Sequence, residues 1–73
     1  MEIHKGFEIW IERDVEEDCI KNWHLYRPAG SNEAPRWAPL SPYEGMGTFR
    51  LWIDAGCPTK KGGNFLVLDG KLV

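Results

Sequence analysis

A chain of 73 residues has room for one domain and a thin core, because a protein of this size buries only roughly 60% of the surface that its unfolded chain exposes. Four Trp, three Phe and two Tyr add apolar area to that core. The formal net charge of −2 argues against a general nucleic-acid binder, which neutralises several phosphates with a basic face.

The charge is unevenly distributed along the chain. Residues 1–18 carry seven acidic side chains against two basic ones, whereas residues 19–73 carry seven basic against four acidic. The simplest interpretation is a solvated acidic turn. The alternative is an acidic edge that steers a basic partner toward the protein.

The N-terminal residues contain no apolar stretch of signal-peptide length, and no run approaches the ~20 apolar residues of a membrane helix. We therefore expect a cytoplasmic protein without membrane contact. In a reducing compartment, Cys19 and Cys57 are expected to be small buried hydrophobic residues, while a disulfide between them stays open from the sequence.

The first predicted strand is GFEIWIER, residues 6–13. Its apolar and polar positions alternate, as in a strand with one buried face. Phe7, Ile9 and Ile11 share the apolar face. Trp10 lies on the opposite face, between two glutamates.

A polar connection at residues 14–18 precedes a second predicted strand, CIKNWHLYRP, at residues 19–28. We expect the two strands to form an antiparallel hairpin. One face of the second strand carries Cys19, Trp23 and Leu25, and the other carries Ile20, Asn22, His24 and Tyr26.

The composition of PAGSNEAP predicts a loop after this hairpin. RWAPL, residues 36–40, follows as a candidate short third strand. Pro39 would confine that strand to the edge of the sheet or end it early.

The segment SPYEGMGTFRLWIDAGCP, residues 41–58, predicts a helix over residues 42–55. Ser41 is a favourable N-cap, and Glu44 stands three residues later, as in a capping box. Gly56 is placed to end the helix in a left-handed conformation. Apolar side chains at helical spacing form one face: Met46, Phe49, Trp52 and Ile53.

Gly45 and Gly47 weaken this helix by about 0.5–1 kcal/mol each relative to Ala. Gly45 borders the apolar face and would allow close packing. The alternative is a break near Gly45 and Gly47, which would divide the segment into a turn and a shorter helix.

The chain closes with FLVLDGKLV, residues 65–73. Residues 65–68 are a continuous apolar run typical of a covered strand, and Asp69–Gly70 is a two-residue turn signal. The sequence leaves open whether this tail pairs with the first strand or covers the outer face of the sheet. Together the elements predict an α+β domain over residues 1–73: an antiparallel sheet of three to four strands with one helix packed on one face.

No motif for catalysis or cofactor binding is present. EGMGTFRLW lacks the lysine and spacing of a phosphate-binding loop, and TKKGGN carries its lysines before its glycines. The His and Cys residues lack the spacing of a zinc site, and the acidic stretch lacks the pattern of a calcium loop. We expect no metal, no cofactor and no enzyme activity, since a core this small leaves little room for a substrate pocket.

The predicted outer face of the sheet is the best candidate site. If the apolar strand faces meet the helix, a set of aromatic and basic side chains faces outward: Trp10, His24, Tyr26, Arg27, Arg36 and Trp37. Arg36 and Trp37 would lie at the margin of this set. Trp, Tyr and Arg are the residues that anchor protein interfaces. The set predicts a non-enzymatic protein-interaction module that binds a partner protein or forms a homodimer, unless the tail covers the face or the aromatics only pair across strands.

The alternative function is an accessory nucleic-acid-binding protein of phage or mobile-element origin. It would use the aromatic side chains to stack single-stranded bases, together with Arg27, Arg36, Lys60 and Lys61. The overall acidity disfavours it.

The opening HKGFEIWI resembles the K-G-[FY]-x-I-x-[IV] first strand of many small uncharacterised bacterial and phage proteins, in which a three-stranded meander leads to a helix of the pattern S/T-L-x-E-A-x-x-W-I-D. This chain matches that helix in kind at Ser41, Glu44, Trp52, Ile53 and Asp54. GMGTF makes the spacing longer than in that pattern, and the resemblance leaves out residues 57–73. It implies a fold and transfers no catalytic residue.

Overall fold

The computed structural model describes all 73 residues, which form two antiparallel sheets and one helix. The elements in chain order are β1 (Glu2–His4), β2 (Phe7–Glu16), β3 (Cys19–Pro28), β4 (Arg36–Trp37), α1 (Met46–Asp54), β5 (Val67–Leu68) and β6 (Lys71–Leu72). The main sheet has the order β1-β2-β3-β4, and β5 pairs with β6 alone. The predicted α+β class is confirmed, and the antiparallel sheet, predicted to have three to four strands, has four.

The main sheet is built around one long hairpin. β2 and β3 pair along their whole length, and only Glu17 and Asp18 form the turn between them. The predicted polar connection at residues 14–18 is therefore mostly strand. The prediction was wrong because charged side chains are uncommon in strand interiors. β1 was also missed. Its turn into β2 has positive φ angles at both Lys5 (47°) and Gly6 (85°), as a type I′ turn requires.

The register of this hairpin corrects the predicted faces of β3. Residues directly opposite each other in an antiparallel pair lie on the same face. Tyr26 is opposite Ile9 and His24 is opposite Ile11, so both face the helix. The prediction that His24 and Tyr26 point outward is wrong, because the two-residue turn pairs each odd residue of β2 with an even residue of β3.

The hydrophobic core lies between the sheet and α1. Its buried members are Ile9, Leu40, Phe49, Trp52 and Ile53. Aromatic rings continue the packing into the sheet, with the Tyr26 ring centroid 5.1 Å from that of Trp52. The Trp52 indole N–H donates to the Pro58 carbonyl at 2.9 Å, which satisfies the polar atom of this buried side chain.

The helix begins at Met46 and not at residue 42. Gly45 is the N-cap, and the preceding residues form a turn in which the Glu44 N–H donates to the Ser41 carbonyl at 3.0 Å. The segment is thus a turn followed by a shorter helix, which is the alternative that Gly45 and Gly47 indicated in the sequence. The Glu44 carboxylate accepts a bond from the Thr48 hydroxyl at 2.7 Å instead of closing a capping box with Ser41.

The helix ends as predicted. The Gly56 N–H donates to the Ile53 carbonyl at 3.0 Å and the Cys57 N–H donates to the Trp52 carbonyl at 3.1 Å, which is the bond pattern of a Schellman motif. Gly56 has a φ of 89°, a region where L-residues are strained. This nine-residue helix is too short to cross a lipid bilayer.

The C-terminal segment packs on the helix side of the main sheet. Asp69 and Gly70 have φ angles of 52° and 75° and form the predicted hairpin turn between β5 and β6. Phe65 bridges to Leu40, and both Phe65 and Leu72 contact the core. The tail therefore neither joins the main sheet nor covers its outer face.

Candidate functional site

The outer face of the main sheet carries an aromatic cluster, which we call the tryptophan patch: Trp10, Trp23, Leu25, Arg27 and Trp37. Trp10 on β2, Leu25 on β3 and Trp37 on β4 are directly opposite one another, so they form one row across three strands. Trp23 and Arg27 are the next residues on the same face of β3. Three of the four tryptophans thus lie on the face away from the helix.

The patch packs on itself. The ring centroids of Trp23 and Trp37 are 5.4 Å apart and the rings are inclined by 70°, the edge-to-face arrangement that aromatic pairs favour. Leu25 is only 5% exposed although it lies outside the core cluster, because the larger side chains of its own face surround it. Trp37, at the edge of the row, remains 61% exposed.

Arg27 borders the patch and is held in place by two contacts. Its guanidinium carbon lies 5.4 Å from the centroid of the Trp10 ring, which is a cation–π distance. Its Nε–H donates to the Glu8 carboxylate at 2.6 Å. This bond from Arg27 lowers the pKa of Glu8, and a weaker bond from the Gly30 N–H acts in the same direction.

The opposite end of this face is acidic. Glu12, Asp14 and Glu16 follow Trp10 at alternate positions of β2, so their side chains point to the same side. Lys21, which is opposite Asp14, is the nearest basic residue on that face, and no ion pair forms between them. The outer face therefore combines an aromatic end with an acidic end.

Three residues predicted for this site lie elsewhere. His24 is buried against the helix, where its Nε2–H donates to the Glu44 carbonyl at 2.8 Å, and burial lowers its pKa. Tyr26 packs against Trp52 in the core. Arg36 is opposite Tyr26 at the sheet edge and forms an exposed ion pair with Glu33 at 3.6 Å.

Trp23 and Leu25 belong to the patch but were assigned to the helix face in the sequence analysis. They are more apolar than His24 and Tyr26, so the hydrophobic pattern favoured burying them. The signal that places them correctly is the Glu17–Asp18 turn, because a two-residue turn sets the register of the hairpin.

Two other regions of the molecule bring polar or nucleophilic side chains together. An open groove of about 800 Å³ lies beside the β2–β3 turn and is lined by Glu16, Glu17, Asp18, Cys19, Lys21 and Tyr43. It contains no histidine or other partner base for the thiol. The Cys19 thiol lies 3.5 Å from the Tyr43 hydroxyl and raises the pKa of that tyrosine.

The second region joins the β1–β2 turn to the end of α1. The Asp54 carboxylate lies 2.7 Å from His4 Nε2 and 2.9 Å from Lys5 Nζ. These bonds, first that from Lys5 and then that from His4, lower the pKa of Asp54. No hydroxyl or thiol group takes part in this cluster of Asp54, His4 and Lys5, so it is not a nucleophilic triad. Its ion pairs connect the β1–β2 turn to the end of α1. No group of three or more potential metal ligands occurs anywhere in the structure.

The basic residues of the nucleic-acid alternative are dispersed. Arg27 is paired with Glu8, and Arg36 with Glu33. Lys60 lies 5.5 Å from the centroid of Phe65, which packs on the helix side. The structure therefore does not bring these cations together beside the tryptophan patch.

No family model, curated protein or solved structure matches this chain. The resemblance noted from the sequence stays a prediction.

Proposed function

We propose that this chain is a non-enzymatic protein-interaction module that binds a partner protein through the tryptophan patch. The observation that carries the proposal is Trp37, which is held against Trp23 and is nevertheless 61% exposed on a sheet face that no other element covers. A large apolar side chain that is already ordered loses little conformational freedom on binding.

The charge of the same face indicates the chemistry of the partner. Arg27 is neutralised by Glu8, and the remaining basic residue of this face, Lys21, faces three unpaired carboxylates. The acidic end formed by Glu12, Asp14 and Glu16 therefore dominates the field around the patch. A complementary surface has an apolar centre that contacts Trp37 and basic side chains at its rim. A single-stranded nucleic acid would bring its phosphates toward those carboxylates, which disfavours that alternative.

The test compares Trp37→Ala with the control Leu68→Ala, on β5 of the C-terminal hairpin. The two side chains have similar exposed fractions, 61% for Trp37 and 60% for Leu68. Tagged wild-type protein and both variants are used to capture partners, and any protein that depends on Trp37 is purified and titrated by calorimetry. We expect binding to weaken by roughly tenfold or more in Trp37→Ala, the scale of an interface hot spot, and to be unchanged in Leu68→Ala.

The oligomeric state is measured on the same samples by sedimentation. A wild-type dimer that becomes monomeric in Trp37→Ala would identify the second surface as another copy of this chain. If capture and sedimentation are the same for all three proteins, the tryptophan patch is not a binding surface.

A further inference from the structure

One edge of the main sheet is only partly occupied. β1 pairs with β2 from Phe7 to Ile9, where Glu2 is opposite Ile9. The rest of β2, as far as Glu16, has β3 on one side and no strand on the other. An edge of this kind is a template for an added strand.

The turns at the two ends of β2 determine which backbone groups face this edge. Residues that flank a two-residue turn exchange a close pair of hydrogen bonds, as His4 and Phe7 do at one end and Glu16 and Cys19 at the other. The odd residues of β2 therefore direct their N–H and C=O groups away from β3. Those of Ile11, Arg13 and Val15 point into solvent, and no hydrogen bond from a loop or side chain reaches them.

The side chains along this edge differ sharply between the two faces. On the helix side, Ile11 is followed by the exposed Arg13 and then by Val15. Val15 is 64% exposed and opposite the 52% exposed Ile20, beyond the part of the hairpin that α1 covers. On the outer side lie Glu12, Asp14 and Glu16, none of which is in an ion pair. The edge thus presents two apolar side chains with Arg13 between them on one face and three carboxylates on the other, so its net charge is negative.

We propose that the β2 edge from Ile11 to Val15 binds an extended segment of a partner protein as an added strand, with Lys or Arg at alternate positions. Its basic side chains lie beside Glu12, Asp14 and Glu16 on the outer face. Its small apolar side chains lie on the other face, where they contact Ile11 and Val15 and place no second cation beside Arg13. The proposal rests on the proposed role as a protein-binding module and names the chemistry of a partner, but it uses the strand edge and not the tryptophan patch.

A second copy of this chain does not fit the edge. In an antiparallel pairing centred on Arg13, Glu12 would be opposite Asp14 of the second copy. Shifting the register by two residues in either direction places Glu12 or Asp14 opposite the same residue of the second copy. Like charges directly opposite destabilise a strand pair, so the carboxylates disfavour self-association and favour a basic segment.

The probe is a capped peptide with the sequence Thr-Lys-Val-Lys-Val-Lys-Thr, added to the ¹⁵N-labelled full chain at low salt. We expect shifts and slowed hydrogen exchange at the amides of Ile11, Arg13 and Val15, and affinity that falls by about tenfold or more as salt is raised, because several carboxylates contribute. A peptide with Glu in place of each Lys should not bind.

Two controls separate strand addition from simple charge attraction. N-methylation of alternate peptide residues removes the donors that face the edge and should abolish binding. Arg13→Pro removes one outward N–H of β2 and spares the β2–β3 bonds, so it should fold, as checked by its amide spectrum, and bind the peptide at least about tenfold more weakly. Arg13→Lys is the matched variant that retains binding.

Trp37→Ala separates this proposal from the proposed function, because it should leave peptide binding unchanged. Absence of shifts at Ile11, Arg13 and Val15 would overturn the strand-addition proposal and leave the tryptophan patch untouched. Equal binding of the N-methylated peptide, or a homodimer formed through this edge, would overturn it as well.

Discussion

At the residue scale, His24 is the one polar side chain among the buried residues. Its ring centroid lies 5.3 Å from that of Phe49, and its Nε2–H donates to the Glu44 carbonyl. Burial is the main cause that lowers its pKa, and the carbonyl and carboxylate of Glu44 partly offset the effect. The folded state therefore favours the neutral imidazole.

This environment predicts that stability falls as the solution becomes mildly acidic. The unfolded chain takes up a proton at His24 from about pH 6.5 downward, while the folded chain does so only at lower pH. The stability from the neutral ring is thus fully present above that pH and is lost as pH falls through the folded pKa. Urea unfolding between pH 5 and 8 should show this loss.

The His24→Leu variant should lack this pH dependence and should be less stable at pH 7 by about 1–3 kcal/mol, because the bond to Glu44 is lost. His4→Gln is the matched control, since it removes the other histidine, at a partly exposed position. A pH dependence that persists in His24→Leu and disappears in His4→Gln would show that His24 is not its source.

At the element scale, two glycines have opposite roles, one inside the helix and one just past its end. Gly47 lies inside α1 with open space where a Cβ would be, and its φ is not positive. Gly56 also has open space around it but holds a φ of 89° in the Schellman motif. The surroundings are alike, so a Cβ at the two sites tests the backbone conformation alone.

Gly47→Ala should raise the free energy of unfolding by about 0.5–1 kcal/mol, the helix-propensity difference between the two residues. Gly56→Ala should lower it by about 1–2 kcal/mol, the cost of a left-handed L-residue. Urea midpoints with an unchanged slope provide the measurement. Equal shifts of the same sign in both variants would contradict the assigned helix end.

Part of this arrangement of elements could be predicted from the sequence. The period-two pattern predicted that Phe7, Ile9 and Ile11 face the helix. Gly56 predicted the helix end and Asp69–Gly70 predicted the hairpin turn, because these residue types tolerate the positive φ angles found there. The faces of β3 were not predictable from hydrophobicity, because Tyr26 and His24 are buried through contacts with Trp52 and the Glu44 carbonyl that no local pattern reveals.

At the scale of the whole molecule, apolar residues are divided between two sides of one sheet. The helix side holds the core, and two ion pairs tie β1 and its turn to α1: Glu2 with Arg50 at 2.6 Å and Asp54 with Lys5 at 2.9 Å. The outer side holds the tryptophan patch, which has no second layer over it. The patch and the adjoining β2 edge are therefore available to a partner without opening the core.

This division predicts different outcomes for the loss of two tryptophans. Trp52 is 1% exposed in a core with few fully buried apolar residues, so Trp52→Ala should cost about 3–5 kcal/mol. A loss of that size approaches the whole stability of a small domain, about 5 kcal/mol at the low end, and circular dichroism at 37 °C should show a largely unfolded variant. Trp52→Phe, which keeps an aromatic ring there, should remain folded but weakened.

Trp37→Ala should remain folded and lose about 1 kcal/mol or less, because the residue is mostly exposed and contacts chiefly Trp23. Urea unfolding of the four proteins, wild type included, measures these differences. A loss in Trp37→Ala as large as in Trp52→Ala would mean that the outer face is a second core whose packing the fold requires. A small loss leaves binding as the explanation for an exposed tryptophan held in order on an uncovered sheet, since the fold itself does not need it.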